Sequence, residues 1–416
     1  MYDSVAPFLY EQVELLWCEE KRDSFPLKHL TGLFLRRPDL AQHVRRFTLR
    51  GDSSKIYGLG FDKESEHDEI LKIAFRRLIQ NPSNSRKEEM RVHVRGRFRG
   101  SVMIALLLPA LVKLEKLDLV LPEKDLHLEY LEQMLERACW RKKPFDEKPA
   151  FQHLRDVILT LDDEELSLKK LSLVTLLPAI RAVVVHGLGI SDREYDDPFC
   201  NALQSMRTSS SLSHLELRCC RLHNVELGLL LQAPKALKTL TYLIEVDYES
   251  FYPMLPHDIR DAITTQEDFI ENLWLSYEQA QYIPSCCIDS WSTDNYMVHK
   301  FPMRSFSSFK CLKVLRIEAA FLVKDFESTT PDTGRDLIDI FPRTLQTLQI
   351  FRYNGRIVRA LEQLIIHKEA QVPNLIELDL SSSLLRSFHT GARERLAKLE
   401  EICRSEHIHL QAEVLP

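Results

Sequence analysis

Glycine is scarce. Twelve residues in 416 leave little material for phosphate-cradling loops or for the tight turns of an all-β fold, both of which need backbone that tolerates positive φ. Nine cysteines are present, at 18, 139, 200, 219, 220, 286, 287, 311 and 403, yet no two form a CxxC and the count is odd. That usage excludes a secreted disulfide framework and points to a reducing compartment, where cysteine serves as a small buried apolar residue. The vicinal pairs Cys219/Cys220 and Cys286/Cys287 have no histidine at zinc-ligand spacing, so neither a metal nor a cofactor is expected.

Other absences narrow the class further. A basic stretch followed by an apolar one, the mark of a signal peptide, is missing from the start of the sequence. The most apolar run, Val102–Val112, contains Pro109 and is too short to cross a bilayer. Net charge is −6, which supplies no overall attraction for nucleic acid. The patterns G-x-S-x-G, H-E-x-x-H, G-x-x-x-x-G-K-[ST] and G-x-G-x-x-G do not occur, and YGLGF (57–61) and HGLGI (186–190) offer turn glycines only. The expectation is a cytoplasmic or nuclear monomer, soluble and not an enzyme, with no membrane and no nucleic-acid partner.

What is present is a repeat. LEKLDL (114–119), LRDVIL (154–159), IRAVVV (180–185), LSHLEL (212–217), LKTLTY (237–242), IENLWL (270–275), LKVLRI (312–317), LQTLQI (345–350) and LIELDL (375–380) all read L-x-x-L-x-L with apolar replacements. YEQVEL (10–15) and VRRFTL (44–49) are looser copies. The last two apolar positions lie two apart and share one side of a strand, and the residue between them faces the other way.

The spacers carry helical periodicity instead. Leu71, Ala74, Phe75, Leu78 and Ile79 make one stripe, as do Leu131, Met134, Leu135, Ala138 and Cys139, and Ile357, Ala360, Leu361, Leu364 and Ile365. Pro109, Pro149, Pro178, Pro234, Pro342 and Pro373 stand shortly before the first Leu or Ile of a copy. Proline cannot continue a helix, so each marks where a helix stops and a strand follows. From 114 onward the copies begin 40, 26, 32, 25, 33, 42, 33 and 30 residues apart. One strand and one helix per unit fits that spacing, so the predicted fold is an α/β leucine-rich-repeat solenoid, a curved parallel sheet on one side and helices on the other. The expected organisation is a first part over 1–50, an irregular insertion over 51–113, the repeat array over 114–390 with an insertion at 281–301, and a C-terminal cap over 391–416.

On these residues the chain resembles leucine-rich-repeat proteins, and through FLRRPDLAQHVRRFTL (34–49) and FRGSVMIALLLPALVKLEKLDLVL (98–121) the fungal F-box/leucine-rich-repeat family. In that family an F-box helical bundle precedes the repeats and ends in a helix and strand similar to SVAPFLYEQVEL (4–15). The resemblance implies a protein-recognition module. With an F-box upstream of Met1 it also implies the substrate receptor of an SCF-type ubiquitin ligase, with the ligase adaptor as a second partner. The bundle itself has no counterpart in the sequence, so a scaffold or regulator without ligase coupling is the leading expectation. The asparagine of the standard repeat, eight residues past the first Leu, is nowhere present; Cys220 fits its cysteine variant, and Pro122, Asp162, Glu278 and Tyr353 stand elsewhere. Irregular repeats follow.

The outward strand residues are the candidate binding face, for a protein partner. Their central column reads Asp118, Ile158, Val184, Glu216, Thr241, Trp274, Arg316, Gln349 and Asp379, flanked by His186, Arg218, Glu318 and Phe351. Seven of these are the candidate partner-binding residues: Glu216, Arg218, Trp274, Arg316, Glu318, Phe351 and Asp379. An aromatic facing out of a strand is a typical interface anchor, although Trp274 could instead pack beneath the 281–301 insertion. The mixed charges suit a polar protein ligand and exclude a uniform phosphate track. The basic loop around Arg95–Gly100 carries a net +4 over 81–100, and the run Asp162–Glu165 offers four carboxylates; contiguous charge of either kind is ordinarily a solvated loop.

Overall fold

The computed structural model describes residues 8–16, 26–50, 73–74, 100–121, 128–161, 168–187, 208–220, 222, 224–244, 256–277, 303, 305–323, 337–353, 355–381 and 392–412. The chain divides into two compact units, Met1–Leu212 and Ser213–Pro416. The repeat spacing does not announce that division, because the same motif runs through both parts. The basic loop over 81–99, the acidic run over 162–165 and the insertion over 281–301 lie outside the described residues. Of the stripe over 71–79, only Ile73 and Ala74 are described, and both are helical.

The fold is an α/β leucine-rich-repeat solenoid. In the first unit five strands pair in chain order, all parallel: β1 (Gln12–Leu16), β2 (Arg46–Arg50), β3 (Lys116–Leu121), β4 (Asp156–Leu161) and β5 (Ala182–His186). Between them lie α1 (Pro26–Arg36), α2 (Pro38–Ala41), α3 (Gly100–Leu107), α4 (Leu128–Cys139) and α5 (Leu168–Thr175). In the second unit β6 (His214–Cys220), β7 (Thr239–Ile244), β8 (Asn272–Tyr277), β9 (Val314–Glu318), β10 (Thr347–Phe351), β11 (Glu377–Asp379) and β12 (His409–Gln411) are again parallel and sequential. Their connections hold α6 (Asn224–Gln232), α7 (Pro256–Ile263), α8 (Ala319–Leu322), α9 (Gly355–Ile366), α10 (Lys368–Gln371) and α11 (Ala392–Ser405).

Alternation in the sequence becomes two-sidedness in the sheet. In β10, Leu348 and Ile350 are wholly buried, whereas Thr347, Gln349 and Phe351 are half-buried on the opposite side. Burying one such leucine stabilises by about 1.5–3 kcal/mol, so a register slip that turned the inner column outward would cost the whole stripe at once. The helical stripes are buried too: Leu131, Met134, Leu135 and Ala138 in α4 of the first unit, and Ile357, Ala360, Leu361, Leu364 and Ile365 in α9 of the second. The opening segment finds its partner here too, with Val13 opposite Phe47 and Leu15 opposite Leu49.

A recurring pair of backbone bonds sets the register. Within each unit, the N–H groups of the second and third residues of an L-x-x-L-x-L both donate to the carbonyl of the second residue in the preceding copy. Glu115 and Lys116 donate to Arg45 at 2.7 and 3.0 Å, Arg155 and Asp156 to Glu115 at 2.8 and 3.1 Å, and Lys313 and Val314 to Glu271 at 2.8 and 3.0 Å.

Side chains also bond backbone carbonyls of the preceding copy at the strand entries. Ser211 donates to the Ile180 carbonyl, Thr344 to that of Leu312 and Asn374 to that of Arg343, each at 2.8 Å. Gln266 bridges more widely. Its Nε2 donates to the carbonyls of Leu231 and Pro234 at 2.8 and 3.1 Å, and its Oε1 accepts the Leu237 N–H at 3.0 Å. The buried backbone groups around Gln266 are thereby paired. At the standard asparagine position itself, Cys220 and Tyr353 turn fully inward. A left-handed residue precedes Cys220 (Cys219, φ 48°), and a register shift lies between Leu217 and Cys220.

Cysteine behaves as its usage suggests. Cys139 hydrogen-bonds the Leu173 carbonyl at 3.1 Å, and burial pushes its thiol up to about 12; burial also pushes the Cys403 thiol up to about 11. Neither is a nucleophile at neutral pH. In the first unit a cavity of about 30 Å³ lies between the strands and the helices, lined by Leu117, Leu119, Leu131, Leu135, Val157 and other apolar side chains. A water would fit by size but would find no polar partner there.

Candidate functional site

The outward column predicted from the repeat is a set of true register rows. In the first unit Thr48, Asp118, Ile158 and Val184 lie side by side. In the second, Glu216, Thr241, Trp274, Arg316, Gln349, Asp379 and Gln411 form one continuous row. Period-two alternation and parallel in-register pairing are enough to produce this, since equivalent residues of successive copies must then be neighbours.

Register does not make the residues equal. Asp118 is buried and held by Arg50, whose Nη2 and Nε reach the same carboxylate oxygen at 2.6 and 3.1 Å. Arg218 Nη2 donates to both carboxylate oxygens of Glu216 along one strand at 3.1 and 3.2 Å. Asp379 accepts from Gln349 Nε2 at 2.6 Å and from the N–H and hydroxyl of Ser381 at 2.8 and 2.5 Å. These carboxylates are engaged within the protein and leave little for a partner.

Glu318 departs from the expectation of an open binding residue. It is 2% exposed and sits at the end of β9, where α8 begins. Arg352 binds it through Nε at 2.8 Å and Nη2 at 2.6 Å, and Ser276 donates to it at 2.5 Å. Arg352 reaches back because its backbone is left-handed, with φ 49°. Its guanidinium also lies 5.8 Å from the centre of the Tyr277 ring, and that ring meets Phe321 edge-on at 4.8 Å. Burial, reinforced by the nearby Glu318 charge, raises the Tyr277 phenol well above its usual range. The cluster is a buried clamp across β8, β9 and β10, built by a carboxylate that the outward position alone made look accessible.

Three of the seven candidates do meet at a surface. Trp274 and Phe351 stack with ring centres 6.0 Å apart and planes 23° from parallel, although β9 lies between their strands. From β9 the exposed Arg316 places its guanidinium 5.4 Å from the centre of the Trp274 ring. Trp274 is half-buried, and its Nε1 is shielded from solvent with no acceptor among the described residues. Arg316 has no carboxylate within ion-pair distance among the described residues.

One row escaped the sequence reading. The residue just after the first apolar position of each copy reads Glu11, Arg45, Glu115, Arg155, Arg181 in one unit and Ser213, Lys238, Glu271, Lys313, Gln346, Ile376 in the other. Arg45 pairs with Glu115 at 2.5 Å, and Glu271 sits between Lys238 at 3.1 Å and Lys313 at 2.8 Å. The available signal was sign alternation over two stretches of this position, Glu11 to Arg155 and Lys238 to Lys313. Hydrogen bonds from Lys313 and Lys238, with their charges, hold the Glu271 carboxyl below the usual carboxylate range. A depressed folded-state value means the stabilisation is complete above the unfolded carboxylate range and is lost as pH falls through the lowered one. Glu271→Gln is therefore expected to be less stable than the wild type at pH 7, with the gap closing on acidification below about pH 4. Urea midpoints across pH measure this, and a gap independent of pH would contradict it. All three groups are partly exposed, so salt should shrink the gap as well.

No family model matches the chain, and no curated protein matches it. Among solved structures, a chain of the crystal structure of the Rad7 and Elc1 complex in yeast matches at 12% identity and a TM-score of 0.34, covering 94% of this chain and 91% of that chain. At that level the likeness carries nothing onto this chain. The fold rests on the strand order and burial described above. Among the described residues no helix is long and apolar enough to cross a membrane, and no group of three or more His, Cys, Asp or Glu is placed to hold a metal ion.

Proposed function

We propose that this chain is a non-enzymatic protein-recognition module that binds a protein partner through the strand face of its second unit. The observation that carries the reading is the Trp274–Arg316–Phe351 cluster. Tryptophan and arginine are the residue types that dominate interface hot spots, because each brings large contact area together with a directional donor. A protein that used this column only to close its fold would be expected to pair Arg316, as it pairs Arg50, Arg218 and Arg352. The deep closed pocket that most catalysis needs is no part of this site, which is a strand surface.

Proximity labelling in cells tests the reading. Trp274→Ala combined with Arg316→Ala is expected to remove a defined subset of labelled proteins at unchanged expression and thermal stability. Identical labelling by wild type and variant would show that recognition lies on another face.

The F-box/leucine-rich-repeat resemblance supports a finer reading, that of a ubiquitin-ligase substrate receptor. The observation in its favour is at Phe8 and Leu9, which are 79% and 65% exposed just ahead of β1. Co-purification of the full-length chain with the cullin adaptor would support that coupling. Failure to bind would leave the scaffold reading in place.

A further inference from the structure

Resting on the recognition reading above, we infer that the partner presents an acidic side chain beside an apolar one, docking a carboxylate on Arg316 against the Trp274–Phe351 stack. The argument is one of unmet chemistry. Along the described strands of the second unit, Arg218 has Glu216, and Arg352 next to β10 has Glu318. Lys238 and Lys313 at the strand entries share Glu271. On these strands Arg316 is exposed and has no acid within ion-pair distance among the described residues. An exposed donor wanting an acceptor therefore lies on an apolar platform, with the guanidinium 5.4 Å from the indole centre.

Stacking on the indole restrains the guanidinium before any ligand arrives, which lowers the ordering cost of a bidentate pair with a planar carboxylate. The two stacked rings offer flat apolar area beside it. Phosphate fits less well. Phosphate-reading sites gather several arginines, whereas Asp379 shares the row with Arg316, separated from it by Gln349 alone. A second negative charge would meet that carboxylate. The same mixed charge argues against an anionic lipid surface, which is read by clustered basic groups.

The experiment is selection of a phage-displayed random dodecapeptide library on the full chain, followed by synthesis of the consensus peptide and titration by fluorescence anisotropy. The expected consensus contains Asp or Glu next to a large apolar residue. Arg316→Gln should weaken the synthetic peptide about tenfold or more, and 0.5 M salt should weaken the wild-type complex too. Arg316→Glu should lose the acidic peptide and gain a version with lysine in place of the acid. That reciprocal switch is independent of any loss of folding.

Selected peptides without acid enrichment, yet lost on Trp274→Ala, would overturn the acidic-partner inference while the recognition reading stands. A consensus bound only as its phosphoserine form, or binding of the chain to phosphatidylserine vesicles but not to the peptide, would also overturn it. Peptides that bind equally to wild type, Trp274→Ala and Arg316→Gln would sink both readings, since the site itself would then be idle.

Discussion

Arg352→Ala is expected to destabilise the second unit by about 3–5 kcal/mol, the cost of leaving a buried carboxylate without its counter-charge. Glu318 is nearly inaccessible, and its remaining donors are Ser276 Oγ at 2.5 Å and the Tyr277 N–H at 3.4 Å. Neither brings a positive charge. Because solenoid repeats can unfold piecewise, the readout is native-state hydrogen exchange at the amides of β8, β9 and β10, alongside urea unfolding. Glu318→Gln in the Arg352→Ala background should restore much of the loss, since a neutral amide needs no counter-ion. Arg352→Gly isolates the backbone contribution. It relieves the left-handed conformation and so should fare better than Arg352→Ala by no more than about 1 kcal/mol. If Arg352→Ala costs less than about 1 kcal/mol, the clamp across the three strands is not what holds Glu318 in place.

A second large effect is expected at Arg260, a buried cation in α7. Its Nε donates to the Ser305 carbonyl at 3.1 Å, and Nη2 donates to Ser308 Oγ at 2.8 Å, while Glu267 lies 3.7 Å away. The guanidinium stacks 4.6 Å from the centre of Phe309 and 5.8 Å from that of Phe306. One side chain thus ties the helix of one repeat to the turn that leads into Leu312 and β9. Removing it by Arg260→Ala should cost about 3 kcal/mol, since charge-assisted hydrogen bonds contribute roughly 1.5–3 kcal/mol each and their partners are partly able to rehydrate. Arg260→Lys is expected to rescue little, because an ammonium cannot present the planar fork or stack on both rings. Faster exchange and new proteolytic cleavage near 305–309 would mark the loosened turn. An Arg260→Met variant as stable as wild type would show that volume, rather than the fork, is what this position supplies.

Much of this molecule could be read without coordinates. The alternation of LKVLRI or LQTLQI is the alternation of a strand with one buried side, and repetition at similar spacing leaves sequential parallel pairing as the economical way to stack it. The outward column followed at once, because equal positions in equal units become neighbours. Helix stripes in α4 and α9 were legible for the same reason, their apolar residues recurring at the helical period.

The site was legible in its members and not in its sorting. Sequence position says that Glu216, Glu318, Asp379 and Arg316 all lie on or beside the outward rows. It does not say which of them meets a partner from another repeat. Glu318 looked available until the left-handed backbone at Arg352 brought a guanidinium back over it. Asp379 looked available until Gln349 and Ser381 closed on it. The Gln266 bridge, the Ser211 and Thr344 bonds and the Lys238–Glu271–Lys313 row likewise depend on which residues of distant copies come within about 3 Å, the reach of a hydrogen bond.

By itself, then, the sequence determined the repeat, its strands and helices and the rows into which they stack, because these follow from local periodicity and from the need to bury one apolar side. Only the tertiary structure decided which of the charges on the strand face are consumed by pairing and that Arg316 is left exposed there beside two aromatic rings. Hydrophobic patterning is a property of each copy of the repeat, whereas charge pairing depends on distances of a few ångströms between copies about 30 residues apart.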